Sequence, residues 1–110
     1  MNIKQERLGD ALVCVLEGEV NISTSPELRK AFEVIIKSNE KKVLIDFSKV
    51  AYIDSSGLAT LIEMLQRLKK SGGKLSFSNM SEKVKNVFEI TKLDKLFSIF
   101  ETREEALKNL

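Results

Sequence analysis

The chain has 110 residues, 43% of them hydrophobic and 31% charged, and its formal net charge is +2. This length and balance are typical of one globular domain, residues 1–110, and leave no room for a separate catalytic domain. The basic residues are spread along the chain without a long Lys/Arg run, so the sequence does not indicate nucleic-acid binding.

The residue inventory narrows the function further. The chain has no histidine, which excludes a Ser-His-Asp triad, a Cys-His pair and any histidine-containing zinc site. Its one cysteine, Cys14, lies in an apolar stretch, where a buried small hydrophobe is the simplest interpretation. No apolar run reaches the about 20 residues of a membrane span, and Met1–Glu6 lacks the apolar core of a signal peptide. We therefore expect a soluble cytoplasmic protein without a membrane partner.

The first elements in chain order predict a β-hairpin. Ile3–Leu8 and Ala11–Leu16 are strand-like, and Gly9-Asp10 between them is a plausible two-residue turn. Because both faces of the second strand are apolar, we expect it to be central and covered on both sides. Residues 18–25 read as a polar connection.

A helix and a buried strand follow. Ser25 is predicted to cap the helix, Pro26 to occupy its first position, and Ser38-Asn39 to end it. Its apolar residues recur at helical spacing: Leu28, Ala31, Phe32 and Ile35. Val43–Phe47 is a short apolar run typical of a buried strand, and Val50–Ile53 leads on from it.

A second helix follows the segment Asp54–Gly57 and ends at residues 71–73. We expect Glu63 and Arg67 to form an i,i+4 ion pair on its surface. Its apolar side carries Leu58, Leu61, Ile62, Leu65 and Leu68.

The remaining elements continue the alternation. They comprise a strand at Leu75–Phe77, a third helix opened by Ser81, a strand at Leu96–Phe100 and a terminal helix whose Thr102 and Glu105 form a capping-box pattern. The alternation predicts an α/β fold with a mixed sheet, antiparallel at the start and built from parallel crossover units after it.

The segment Tyr52–Leu58 is the strongest candidate for a functional site. It joins a strand to a helix, a frequent functional position in such sheets, and a phosphate is well tolerated at a helix N-terminus. On a helical wheel Ser56 lies roughly 170° from the apolar centre and Ser55 about 70° from it, which predicts that Ser56 faces solvent. From the residues alone, a plain capping turn with Asp54 or Ser55 as N-cap is the simpler interpretation of the segment.

Other candidates are weaker. Gly72-Gly73-Lys74 lacks the spacing of a phosphate-binding loop, and a helix stop explains it. Asp46 and Asp54 can be read as a carboxylate pair for a metal, but each also suits a position at a strand end.

Several motifs together carry a family resemblance. Tyr52–Leu58, Y-I-D-S-S-G-L, resembles the D-S-[SA]-G-L signature of STAS domains, in particular of stand-alone bacterial anti-sigma-factor antagonists. Leu16–Asn21 resembles the family's G-[ED]-[LI]-D segment, and Lys42–Ser48 resembles its D-[LF]-S strand. Residues 72–75 and 84–88 fall where the family has its G-G turn and next helix. The resemblance covers nearly the whole chain and implies a single STAS-like domain.

The resemblance implies a regulatory protein without enzymatic activity or cofactor. In the family, an anti-sigma factor that is also a serine kinase phosphorylates the serine directly before the signature glycine, which here is Ser56. The unphosphorylated antagonist binds the anti-sigma factor and frees the sigma factor. Phosphorylation breaks that complex, and a PP2C-type phosphatase reverses it. The expected switch and partner-binding surface comprises Asn21, Ser23, Asp54, Ser55, Ser56 and Gly57.

Two positions depart from the family pattern. Asn21 stands where an aspartate is usual, which removes a carboxylate beside the switch, and Ala59 replaces a frequent glycine. The alternative function is a STAS subunit of a transport or stress-sensing assembly, holding its partner through the same surface without being phosphorylated. A small hydrolase, the third class, is disfavoured by the missing histidine.

Overall fold

The computed structural model describes residues 1–110 and begins with the predicted hairpin. Strands β1 (Asn2–Leu8) and β2 (Ala11–Val20) pair antiparallel on either side of Gly9 and Asp10. Gly9 has a φ of 63°, a conformation that glycine adopts without steric strain. β2 runs four residues beyond the predicted end, because its parallel pairing with the next strand continues to Val20. The expected polar connection is therefore shorter than predicted.

The sheet has five strands in the order β1-β2-β3-β4-β5. β3 (Lys42–Ile53), β4 (Lys74–Ser78) and β5 (Ser98–Phe100) each lie parallel to the preceding strand. The predicted mixed sheet is thus confirmed. β3 is one continuous strand with irregular register against β2. β5 is shorter than the predicted strand, because a 3₁₀ turn at Leu93–Lys95 precedes it.

Helices cover both faces of this sheet. α1 (Ser25–Lys37), α2 (Ser55–Lys70) and α3 (Glu82–Ile90) pack over the larger apolar cluster, and α4 (Arg103–Lys108) packs over the smaller one. Alternate residues of the central strands supply the two clusters, which confirms that β2 is covered on both sides. No helix combines the length and the apolar character needed to cross a bilayer.

Local capping follows the sequence at two helices. The Ser81 hydroxyl accepts the Val84 N–H at 3.2 Å, and the Thr102 hydroxyl accepts the Glu105 N–H at 3.2 Å. Both were predicted from the residue types that begin a helix. Cys14 is fully buried, and burial raises the pKa of its thiol to about 12. This confirms its interpretation as a buried small residue.

The predicted ion pair between Glu63 and Arg67 is wrong. Arg29 of α1 donates from Nε to Glu63 at 2.9 Å, while Arg67 pairs with Glu33 of α1. The two helices lie side by side, so partners on α1 replace the expected partners within α2. Two arginine–glutamate ion pairs therefore link the two helices along their polar edge.

Candidate functional site

Two loops meet where β2 and β3 end. Val20 pairs with Ile53, and the Asp54 N–H donates to the Val20 carbonyl at 3.0 Å. The loop of residues 21–24 and the first turn of α2 therefore lie beside each other at one edge of the sheet. All six predicted surface residues are brought to this edge: Asn21, Ser23, Asp54, Ser55, Ser56 and Gly57.

Asp54 is the N-cap of α2. Its carboxylate Oδ1 accepts the N–H groups of Ser56 and Gly57 at 2.9 and 3.1 Å. This decides between Asp54 and Ser55 as the capping residue, and it commits the carboxylate to the backbone. Asp46, the other carboxylate considered above as a metal ligand, instead accepts hydrogen bonds from Ser48 and Arg103. The two aspartates therefore serve separate structural roles.

Gly57 marks the closest approach of α2 to the strands. A Cβ at this position would lie 2.7 Å from Val20 Cγ1, 2.8 Å from Ile53 Cγ1 and 2.9 Å from the Val20 carbonyl oxygen. Distances this short are steric overlaps, so only glycine fits without movement of its neighbours. Gly57 thus sets how closely the serine-bearing turn sits on the sheet.

Asn21 organises the neighbouring loop. Its Oδ1 accepts the N–H groups of Ser23 and Thr24 at 2.9 and 3.1 Å, an arrangement in which Asn and Asp side chains hold a turn. These acceptor contacts need only the side-chain oxygen, so Asn21 performs the structural task that an aspartate would perform without its charge.

The predicted role of Ser25 is wrong. Ser25 is the buried first residue of α1, and its hydroxyl donates to the Asn21 carbonyl at 2.7 Å. Thr24 precedes the helix in its place, and its hydroxyl accepts the Asn21 N–H at 2.9 Å. The Asn21 side chain holds the chain in a turn before the helix starts, which moves the helix start one residue earlier than predicted.

The structure reverses the predicted exposure of the two serines. Ser55 is exposed, whereas Ser56 is half-buried. The helical wheel counted only the large aliphatic residues, but the buried side of α2 also includes Gly57, Thr60 and Met64. Counting all seven buried residues of α2 moves the centre by roughly 70° at about 100° per residue, to about 120° from Ser56 and about 140° from Ser55. The wheel assumed that α2 packs only against the sheet, whereas α2 also packs against α1.

The backbone groups of Ser56 are hydrogen-bonded, whereas its side-chain hydroxyl is not. Its N–H is held by Asp54, and its carbonyl accepts a hydrogen bond from the Thr60 hydroxyl at 3.0 Å. The side-chain hydroxyl makes no hydrogen bond within the chain, and Ser56 is one of the residues that line a shallow groove of about 300 Å³ between α1 and α2. Ser56 thus combines an unpartnered hydroxyl with a hydrogen-bonded backbone at the edge of this groove.

The groove includes residues that sequence reasoning did not single out. Arg29 and Ile22 line it together with Ser56, and the Ile22 side chain is 73% exposed. The signal for Ile22 was an isoleucine in the otherwise polar loop of residues 21–24. Nothing in the order of the chain indicated Arg29, because α1 is separated from Ser56 by the whole of β3.

The fold and this site define a class of protein: an α/β domain in which two adjacent strand ends carry a side-chain-held turn and a capped, serine-bearing helix start. The chain belongs to the STAS domain family, whose model matches residues 2–106.

Its relatives carry regulatory names. The chain is 31% identical over 84 residues to the anti-sigma-B factor antagonist of Bacillus subtilis, with 76% of each chain covered. It is 29% identical over 102 residues to the anti-sigma-B factor antagonist of Listeria monocytogenes, with 90% of each covered. The solved structure of an anti-sigma factor antagonist from Mycobacterium paratuberculosis is 25% identical, with 98% of this chain and 92% of that chain covered and a TM-score of 0.90. These similarities confirm the predicted family and fold.

Proposed function

We propose that this protein is an anti-sigma factor antagonist and that phosphorylation of Ser56 switches off its binding to the anti-sigma factor. The first part of this proposal is supported by relatives that match most of the chain and are named anti-sigma-B factor antagonists. The observation that carries the second part is the free hydroxyl of Ser56, held on a fixed backbone at an accessible edge of the domain.

The switching chemistry needs an ATP-dependent serine kinase, for which the anti-sigma factor itself is the proposed candidate. The Ser56 Oγ attacks the γ-phosphorus of ATP, the bond to the β,γ-bridging oxygen breaks, the hydroxyl proton is released and ADP leaves. A PP2C-type phosphatase then hydrolyses the phosphoserine with water to restore the hydroxyl and release phosphate. The modification adds about −1.5 to −2 charges near neutral pH.

The surface around Ser56 suits partner binding. The exposed Ile22 lies in the same groove, and Tyr52, 40% exposed, is two residues before the Asp54 cap, with the Lys83 ammonium 5.8 Å from its ring centre. Apolar side chains of this kind are desolvated when a protein interface forms. A phosphate in the middle of such an interface would have to be desolvated or would meet carboxylates of the partner, which weakens binding by several kcal/mol in order of magnitude.

The test is a calorimetric titration of each form against the cognate anti-sigma factor in the presence of ADP. We expect the unmodified protein and Ser56→Ala to bind. We expect Ser56→Asp and the protein phosphorylated on Ser56 not to bind, with circular dichroism spectra unchanged. Ser55→Ala is the matched control for the phosphorylation site, because it removes the exposed neighbouring hydroxyl and should leave phosphorylation of Ser56 intact.

Two results would contradict the proposal. Mass spectrometry that places the phosphate on Ser55 alone would overturn the site. Equal affinities of the phosphorylated and unmodified proteins would reject the switch and favour a constitutive subunit of a transport or stress-sensing assembly.

A further inference from the structure

Arg29 is the one charged side chain among the six residues that line the groove at Ser56. It lies on the second turn of α1 and reaches across to α2 with both ends of its guanidinium group. Nε donates to the Glu63 carboxylate at 2.9 Å, and Nη2 lies 3.4 Å from the Thr60 hydroxyl. That hydroxyl in turn donates to the carbonyl of Ser56. The guanidinium is therefore connected to Ser56 through a single side chain.

We propose that Arg29 is the intramolecular partner of a phosphate on Ser56, and that it leaves Glu63 to bind that phosphate. This inference rests on the proposed phosphorylation of Ser56, and it identifies the side chain that binds the new phosphate. It also assigns to α1 a part in the switch that the signature segment on α2 does not contain.

The start of α2 is a poorer host for the phosphate than its position suggests. The N–H groups of Ser56 and Gly57 already donate to Asp54, so they are not free to bind another anion. The Asp54 carboxylate also carries a negative charge that repels a phosphate two residues away. Of the charged groups facing Ser56, Arg29 on α1 is favourable and Asp54 is unfavourable, while Glu63 competes for Arg29.

The exchange of partners is physically favourable. Both side chains of the existing pair are exposed, 48% for Arg29 and 44% for Glu63, so the guanidinium can move at little cost. A phosphate has about twice the charge of a carboxylate and three acceptor oxygens, which match the fork of donors on arginine. Phosphorylation would thus remove one of the two ion pairs that link α1 to α2 and leave Arg67–Glu33 in place.

The experiment uses protein with phosphoserine installed at position 56 during synthesis, so that neither kinase nor anti-sigma factor is required. The phosphate is titrated by phosphorus NMR in the parent protein and in Arg29→Gln, Glu63→Gln and Arg67→Gln. Arg67→Gln is the matched control, because it breaks the other interhelical pair and removes the same charge.

We expect Arg29→Gln to shift the phosphate titration to higher pH, because the cation that favours its dianion is gone. Glu63→Gln should shift the titration to lower pH by releasing Arg29 from its competitor, and Arg67→Gln should leave it unchanged. Equal titrations in the parent and Arg29→Gln proteins, or equal shifts in Arg29→Gln and Arg67→Gln, would overturn the proposal. Failure of anti-sigma factor binding to respond to phosphorylation would contradict the proposed function without affecting this result.

Discussion

At the scale of single residues, the turn between β3 and α2 divides its tasks among neighbours. Asp54 caps the helix, Gly57 allows it to approach the strands, and Ser56 between them has a hydroxyl that no structural contact uses. The residues around Ser56 therefore fix its backbone while its side chain stays available. Because of this separation, the proposed phosphorylation of Ser56 would break no hydrogen bond of the fold.

Gly57→Ala is expected to destabilise the protein. The added methyl group would overlap Val20 and Ile53, and the Val20 carbonyl cannot rotate away as a side chain would. Overpacking of this kind costs about 1–3 kcal/mol, which exceeds the gain of up to about 1 kcal/mol from replacing glycine by alanine in a helix. Chemical denaturation measures the free energy of unfolding, with the exposed Ser55→Ala as control. An unchanged or raised stability for Gly57→Ala would contradict the close approach described here.

At the scale of elements, α2 is held by two kinds of contact. Its inner side is buried against the sheet and α1, with Leu61 fully buried at its centre, while its polar edge pairs with α1 through Arg29–Glu63 and Arg67–Glu33. Ion pairs exposed to solvent contribute little to stability, because water and salt screen them. The apolar side therefore positions the helix, and the ion pairs can change partners without loss of the fold.

Leu61→Ala and Ser56→Ala should differ sharply in stability. The leucine substitution leaves a cavity between α2 and the sheet and is expected to cost about 2–5 kcal/mol. The serine substitution removes a hydroxyl that has no hydrogen bond and should leave the free energy of unfolding nearly unchanged. Thermal melts of the two variants under identical conditions make the comparison. A larger loss for Ser56→Ala would mean that its hydroxyl supports the fold.

At the scale of the whole molecule, α4 covers the face of the sheet opposite the one covered by α1, α2 and α3. Arg103 at the start of α4 donates to the Asp46 carboxylate of β3 at 2.7 Å, and the Ser48 N–H donates to the same carboxylate at 2.8 Å. Burial alone would raise the pKa of Asp46, but these hydrogen bonds and the positive charge of Arg103 outweigh burial and hold its pKa below the ordinary value of 3.8. The contact therefore links the end of the chain to the central sheet.

This lowered pKa predicts how stability depends on pH. A group whose pKa is lower in the folded state stabilises the fold above its unfolded pKa and ceases to do so as pH falls through the folded value. The parent protein should therefore exceed Asp46→Asn in free energy of unfolding from neutral pH to about pH 4, and the difference should shrink below pH 3.8. Denaturation across this range tests it, with Asp94→Asn as an exposed control that lacks an ion pair. A constant difference at all pH values would contradict the role assigned to the charge.

The sequence by itself determined the order and type of the main elements and singled out Tyr52–Leu58 as the candidate functional segment. Alternating apolar strands and amphipathic helices required an α/β sheet, and the hairpin turn and the caps at Ser81 and Thr102 depend on residues only a few positions apart. The residues Asp54–Gly57 were recognisable for the same reason, since a capped strand-to-helix turn is a local pattern. Interactions within a few residues are encoded locally and can be predicted locally.

Only the tertiary structure decided the features that arise because α1 lies beside α2. That packing makes Ser56 half-buried and Ser55 exposed, and it gives Glu63 and Arg67 partners on another helix. It also brings Arg29 to the groove at Ser56 across 27 positions of chain. A helical wheel describes one helix against one surface, whereas α2 is buried against a sheet and a helix at once. The second neighbour is set by the crossover geometry of the whole sheet, which no local pattern contains.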